Sequence, residues 1–217
     1  MDRVSIIIPA FNKADLTVKA IESVLAQTYK NIECIVIDDG STDATNILMQ
    51  PFIRKKQIIY EWQENSGASS ARNRGIRLSS GKYIGLLDCD DSYIYNKIEL
   101  SIKYLKENNL KFVHTAAYVA GLINCDGMHS MSKLRIPGYL TTLPKIGNLL
   151  FRNYILNSTP IIHRECIARV GLFDTKLFIA ADWDMWLRIE EHYKLGYLPR
   201  KLSMIGDKYS YEPISES

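Results

Sequence analysis

Val4 to Ile8 is an apolar run closed by Pro9, the pattern of a short strand buried in a parallel sheet. The apolar positions then change period. From Asp15 to Gln27 they fall at Leu16, Ala20, Ile21, Val24 and Leu25, which predicts an amphipathic helix. Ile32 to Ile37 is again continuous and ends in Asp38-Asp39-Gly40-Ser41, where Ser41 or Thr42 can cap a helix reaching about Ile53. Ile58 to Trp62 predicts a third strand. The stretch from Gly67 to Gly75 opens a helix ending near Leu78, and Tyr83 to Leu87 predicts a fourth strand, with a further helix from near Asn96. Four strand–helix alternations within about 110 residues predict right-handed βαβ units, hence an α/β fold with a mainly parallel, Rossmann-like sheet flanked by helices.

The second half is less regular. Phe112 to Ala120 predicts a strand, Lys145 to Asn153 a short helix, Thr159 to Ile162 another strand, and Glu165 to Val170 a helical turn before Gly171. Asp182 opens a helix with Trp183, Trp186, Leu187 and Tyr193 near one face. Gly121 to Pro144 has no period and is rich in turn residues, so Asn124 to Leu143 is expected to be a mobile loop that orders over a ligand. With no internal repeat and no separating linker, one domain is expected over residues 1–217: a ligand-binding half (1–110) and a half facing a second substrate (111–217).

In parallel sheets, ligands sit beyond the carboxyl ends of the strands. The distinctive polar residues lie there: Pro9-Ala10-Phe11-Asn12, Asp38-Asp39, and Asp88-Cys89-Asp90-Asp91. Three carboxylates in four residues at a strand end repel one another unless a cation intervenes, and a hard divalent ion takes one or two carboxylates plus substrate phosphates. The competing reading is a solvated acidic turn before a helix. Phe11 is either a face for a base or a core aromatic. Arg72 and Arg74 open a helix beside the crevice, where a guanidinium can clamp a phosphate; Arg74 reads rather as a surface residue.

Composition and charge narrow this little. The chain has 217 residues, 47% of them hydrophobic, and a formal net charge of +3, which permits weak attraction to phosphates but does not suggest a nucleic-acid binder. Arg54-Lys55-Lys56 reads as a solvated helix end. The four cysteines, at 34, 89, 125 and 166, form no CxxC pair, so neither a zinc site nor a redox motif is indicated, and Cys34 reads as a small buried hydrophobe. The opening apolar run is too short for a signal peptide and no stretch is long enough to span a membrane. A cytoplasmic protein with at most peripheral contact at the inner membrane face is therefore expected. A phosphate-binding P-loop and a Gly-x-Gly-x-x-Gly dinucleotide fingerprint are both absent.

Taken in order, Val4 to Asn12, Ser23-Val24-Leu25-Ala26-Gln27-Thr28-Tyr29, Ile37 to Asp43, Asn65-Ser66-Gly67, Ala71 to Gly75 and Asp88-Cys89-Asp90-Asp91 resemble the family 2 glycosyltransferases over roughly residues 3–100. A weaker likeness covers Ser158 to Arg188, including Gly171-Leu172-Phe173-Asp174 and Asp182-Trp183-Asp184. The resemblance implies a GT-A fold and a nucleotide-diphosphate sugar donor, with a UDP-sugar favoured. It also implies a glycan or lipid-linked acceptor, Mn²⁺ or Mg²⁺, and inversion at the anomeric carbon. By position it implies that Pro9, Phe11, Asn12, Asp39, Arg72 and Asp88 contact the donor, that Asp90 with Asp88 and Asp91 holds the metal, and that Asp182 is the catalytic base. The chain departs from the family pattern at Ala181, where Glu is frequent, and in 204–211, where the family's late Tyr-Arg-x-His-like segment is not recognisable. Asp182 also reads as a helix N-cap, a role compatible with catalysis because a helix start fixes the carboxylate. Two alternatives stand beside this reading: a nucleotidyltransferase on a similar sheet, and a non-catalytic nucleotide-sugar-binding module.

Overall fold

The computed structural model describes residues 1–119, 132–133 and 149–206. Strands β1 (Val4–Ala10), β2 (Ile32–Asp38), β3 (Ile59–Trp62) and β4 (Tyr83–Leu86) run parallel, connected through helices α1 (Ala14–Leu25), α2 (Thr45–Arg54) and α3 (Ala68–Leu78). Then come β5 (Ser92–Tyr93), α4 (Lys97–Glu107), β6 (Phe112–Val119), β7 (Ser132–Lys133), β8 (Ile161–His163), α5 (Arg164–Val170), α6 (Ala181–Glu190) and β9 (Leu195–Ile205). The nine strands of the described residues form one sheet, ordered β3-β2-β1-β4-β8-β6-β9-β5, with β7 paired to β6.

The period-2 geometry of β1 explains why its apolar run is continuous. Ile6 and Ile8 join the core beneath α1 and α4, while Ile7 joins the opposite core with Phe112, Met185 and Trp186. Helix α3 lies close to the sheet because Gly75 has no side chain. A Cβ there would stand 2.4 Å from Ile7 Cγ2. That close approach fixes where Arg72, one turn earlier, projects.

Strands β1 to β4 pair with one another in parallel throughout, as expected, and the rest of the sheet mixes parallel with antiparallel pairing. β8 enters antiparallel between β4 and β6, and β5 is antiparallel to β9. The sequence pattern does not announce β9, whose run carries Gly196, Pro199, Arg200 and Lys201. Its parallel pairing with β6 is irregular there: Leu198 is opposite Thr115 but Lys201 is opposite Ala116. The displaced register takes up Pro199, which cannot donate to a ladder. The cap expected from Ser41 or Thr42 is also different. Helix α2 begins at Thr45, and the Asp43 carboxylate receives Thr45 N and Ala14 N, each at 3.0 Å. Of the expected 145–153 helix, residues 149–151 are helical and the rest of its beginning lies outside the described residues, as does the 124–143 loop. No helix among the described residues is long and apolar enough to cross a membrane.

Lys97, the first residue of α4, is fully buried. Its Nζ donates to Thr159 O at 2.8 Å and Thr115 Oγ1 at 3.3 Å and lies 4.9 Å from the centre of the Tyr93 ring. Burial pulls this ammonium down to about 7. Between about pH 7 and the ordinary lysine range, the unfolded chain therefore holds a proton that the folded chain does not, so this group makes stability rise with pH across that window. Relative to Lys97→Met, the wild-type urea midpoint should climb from pH 7 to pH 9; parallel midpoints in the two proteins would refute a buried titrating lysine.

Candidate functional site

The loops after β1, β2 and β4 and the start of α3 enclose a cleft of about 480 Å³, lined among others by Pro9, Phe11, Lys13, Asp39, Arg72, Asp88 and Asp90. Phe11 is 45% exposed, so it is a cleft wall rather than a core aromatic. A second hollow of about 300 Å³ shares Gly67, Ala68, Arg72 and Asp88 with the first and adds Asn157, Leu177, Phe178, Ala181 and Asp182. The two hollows meet at the Arg72–Asp88 pair.

That pair is built from both halves of the chain. Arg72 Nη2 donates to Asp88 Oδ1 at 2.7 Å, and Asn157 Nδ2 donates to the same oxygen at 2.9 Å. Asp88 N donates to Ser158 Oγ at 3.0 Å. The Arg72 guanidinium also lies 5.8 Å from the Phe173 ring centre, and its Nε is buried without a partner among the described residues. Asp90 Oδ2 pairs with Lys13 Nζ at 2.6 Å. Burial works to lower the Lys13 ammonium, but the hydrogen bond and charge of Asp90 outweigh it and the pKa is raised.

Asp91 is arranged differently from its neighbours. It is buried and lines neither hollow; Ser158 Oγ donates to its Oδ2 and Gly206 N to its Oδ1 at 2.7 Å. Burial, followed by the charge of Asp88, pushes its carboxyl up to about 7 against the pull of those two donors. Asp39 is likewise buried. Its Oδ1 accepts from Gln63 Nε2 at 2.6 Å and Ser66 N at 2.9 Å, and its Oδ2 from Gly67 N at 2.8 Å, so it pins the loop that leads into α3. Asn12 does not line the cleft either. It has φ +50°, and its Oδ1 accepts from Thr42 N at 2.8 Å, latching the loop after β1 to the loop after β2. Arg74 pairs with Glu61 at the surface, away from the cleft lining.

Asp182 lies in the first turn of α6 but is not its cap. Ala180 holds the N-cap position in a left-handed conformation, φ +62°, with no side-chain cap. Asn153 Nδ2 donates to Asp182 Oδ2 at 3.0 Å. Asp184 is engaged elsewhere: Arg188 Nε and Nη2 donate to its Oδ2 at 3.0 and 2.7 Å, and Arg188 also binds Val170 O and Leu172 O. Asn153, Asn157 and Ser158 are site residues that the sequence reading did not single out. They lie in irregular chain, where no periodicity marks them.

Asp88 and Asp90 suit a hard divalent cation. Both face one cleft, each already carries a protein cation, and one oxygen of each has no hydrogen bond among the described residues. No group of three candidate ligands occurs among the described residues. An ion held by one or two carboxylates and completed by substrate phosphates and water needs no such group.

Comparison with known proteins gives consistent findings. The family model described as Glycosyl transferase family 2 matches residues 5–174. An uncharacterized glycosyltransferase of Rickettsia bellii (strain RML369-C) is 36% identical over 217 residues, covering 96% of this chain and 30% of that protein. The chain thus spans about a third of the length of that relative. The Escherichia coli protein named UDP-Glc:alpha-D-GlcNAc-diphosphoundecaprenol beta-1,3-glucosyltransferase WfaP is 31% identical over 191 residues, covering 87% of this chain and 70% of that one. Among solved structures, S. aureus TarS 1-349 in complex with UDP-GlcNAc has a TM-score of 0.76 at 17% identity, covering 99% of this chain and 61% of that one. Mannosyltransferase PcManGT from Pyrobaculum calidifontis, in complex with GDP-Man and Mn2+, has a TM-score of 0.70 at 16% identity, covering 94% and 57%. These two likenesses establish the GT-A fold.

The different settings of Asp90 and Asp91 separate their contributions to stability. Asp91→Ala leaves the buried Ser158 hydroxyl without its acceptor, at about 1–3 kcal/mol, and the part-buried Gly206 amide without its own at a smaller cost. Asp90→Ala breaks a half-exposed ion pair and should cost under about 1 kcal/mol. Urea denaturation should therefore rank Asp91→Ala well below Asp90→Ala; the reverse order would overturn the assignment.

Proposed function

The chain belongs to glycosyl transferase family 2, and on that premise we propose that it transfers a sugar from a UDP-sugar to a hydroxyl of a lipid-linked glycan acceptor, with inversion at the anomeric carbon. One observation carries the reading: the hollow that holds Asp182 opens into the cleft lined by Pro9, Phe11 and Asp39 at the shared Arg72–Asp88 pair. A nucleotide in the cleft then has its diphosphate at that junction and its sugar in the second hollow.

Phe11 supplies a face for the base. Asp39 has three of its roughly four acceptor positions filled, and the remaining one, on Oδ2, suits a ring N–H. Arg72 donates to the diphosphate oxygens, and Lys13 lies within the same cleft. Asp88 and Asp90 would hold Mn²⁺ or Mg²⁺, which when bound supplies positive charge to the leaving diphosphate. Asp182 accepts the proton of the acceptor hydroxyl while that oxygen attacks from the face opposite the departing group, so the configuration inverts. Asn153 occupies Asp182 Oδ2 and leaves Oδ1 for that proton. The acceptor class rests on the named activity of the E. coli relative, whose length this chain covers to 70%.

Two experiments test the reading. Asp182→Asn should leave UDP–Mn²⁺ affinity near normal while transfer falls about 10²–10⁴-fold. Asp184→Asn, whose carboxylate serves Arg188, should slow transfer far less; the opposite ranking would misplace the base, and a product of retained configuration would rule out single displacement. For the metal, UDP should raise the melting temperature in Mn²⁺ and much less in EDTA, and Asp90→Asn should abolish the difference. Equal shifts with and without metal would count against the Asp88–Asp90 site.

A further inference from the structure

Beside the Asp182 hollow stand several large apolar side chains that are almost wholly exposed. Phe178 is 101% exposed, Phe151 88%, and Ile179 87%. Isolated exposed apolar residues are ordinary, but a cluster at the mouth of a site marks an interaction surface. Three facts gather these into one rim. Leu177 and Phe178 line the hollow itself. The segment bearing Phe151 is tied to the start of α6 on both sides, by Trp183 Nε1 donating to Leu149 O at 2.6 Å and by Asn153 donating to Asp182. Ile179 is three residues from Asp182, so at about 3.5 Å per residue it lies within roughly 10 Å of the helix start, and Phe151 is two residues, or about 7 Å of chain, from either tie. Exposed basic residues adjoin both tips: Arg152 follows Phe151, and Lys176 precedes Leu177; the acidic residues nearby are Asp174 on the second segment and Glu190 and Glu191, which share a hollow with Leu150.

We propose that Phe151, Phe178 and Ile179, with Arg152 and Lys176, form a rim that docks on a bilayer surface and holds the Asp182 hollow against it. The inference rests on the lipid-linked acceptor of the proposed function. Such an acceptor has its reactive sugar in the aqueous headgroup layer and its apolar chain in the membrane. A transferase that reaches it must present its acceptor entrance to the bilayer. Apolar side chains ringing that entrance enter the headgroup–acyl boundary, and neighbouring cations meet anionic headgroups; both contributions scale with what is inserted. The continuity of the rim with the hollow favours the bilayer over a protein partner, because it puts the contact where the substrate itself crosses from lipid to protein.

The test is co-sedimentation with vesicles of phosphatidylcholine, with and without phosphatidylglycerol. The double variant Phe151→Ser/Ile179→Ser changes two exposed residues that line neither hollow. The wild-type protein should sediment with vesicles, and the double variant should partition at least about tenfold less, since bound apolar area sets the affinity. Arg152→Glu/Lys176→Glu should lose about tenfold or more on the phosphatidylglycerol vesicles and change little on phosphatidylcholine alone. UDP–Mn²⁺ thermal shifts, measured on every variant, monitor the fold and the donor site without lipid. A wild-type protein that stays in the supernatant, or a double variant that partitions like wild type, overturns the docking rim. Loss of the UDP shift in the wild type would instead overturn the proposed function.

Discussion

The structure turns on the carboxylate of Asp88. A strand end from the first half of the chain delivers it, α3 sets Arg72 against one oxygen, and Asn157 from the second half bonds the same atom. Ser158 then joins the backbone of Asp88 to the buried side chain of Asp91. A carboxylate at the rim of a core is costly unless it is both paired and hydrogen-bonded. Here the pairing itself fastens the irregular second half onto the βαβ half, so the junction between the two hollows is also the seam between the two halves.

Charge is distributed around that seam in graded fashion. Asp90 keeps a half-exposed partner in Lys13, Asp88 keeps a more buried one in Arg72, and Asp91 is withdrawn behind Ser158 and Gly206. The acidic run is therefore three separate environments rather than one acidic patch. The same separation explains how three carboxylates in four residues coexist. Two face cations across a cleft, and the third is raised toward neutrality by burial.

The βαβ half was legible because continuous apolar runs and 3.6-residue spacing both report burial, and the loops after its strands fall where such sheets bind ligands. Cap chemistry was less legible. Ser41 and Thr42 are common cap types, yet they are bound to Asn12 while Asp43 serves α2. Asp182 looked like a cap and is a first-turn residue behind Ala180, where Asn153 bonds it and the Leu149 carbonyl accepts from the neighbouring Trp183. β9 was invisible because its alternation is broken by Pro199 and its neighbours, whose displacement shows only against β6. Asp182 and Asp184 are equivalent in sequence. What distinguishes them is Arg188, which is reachable from Asp184 one turn away and is steadied by carbonyls from a different segment.

The insertion of β8 between β4 and β6 has a consequence for how the chain is made. Tyr83 has its partner in His163, eighty positions later. At roughly 5–20 residues per second, a ribosome needs on the order of 4–16 s to supply that strand. Until then the Tyr83–Leu86 edge of an otherwise complete four-stranded layer stays open, with its backbone donors and acceptors offered to any passing strand. Synthesis of this protein thus includes an interval in which half the sheet is ready and its growing edge is unguarded. A holdase that covers this edge, or a slow stretch of codons placed well after residue 163, would raise the yield of folded chains, whereas a slow stretch before residue 163 would lower it.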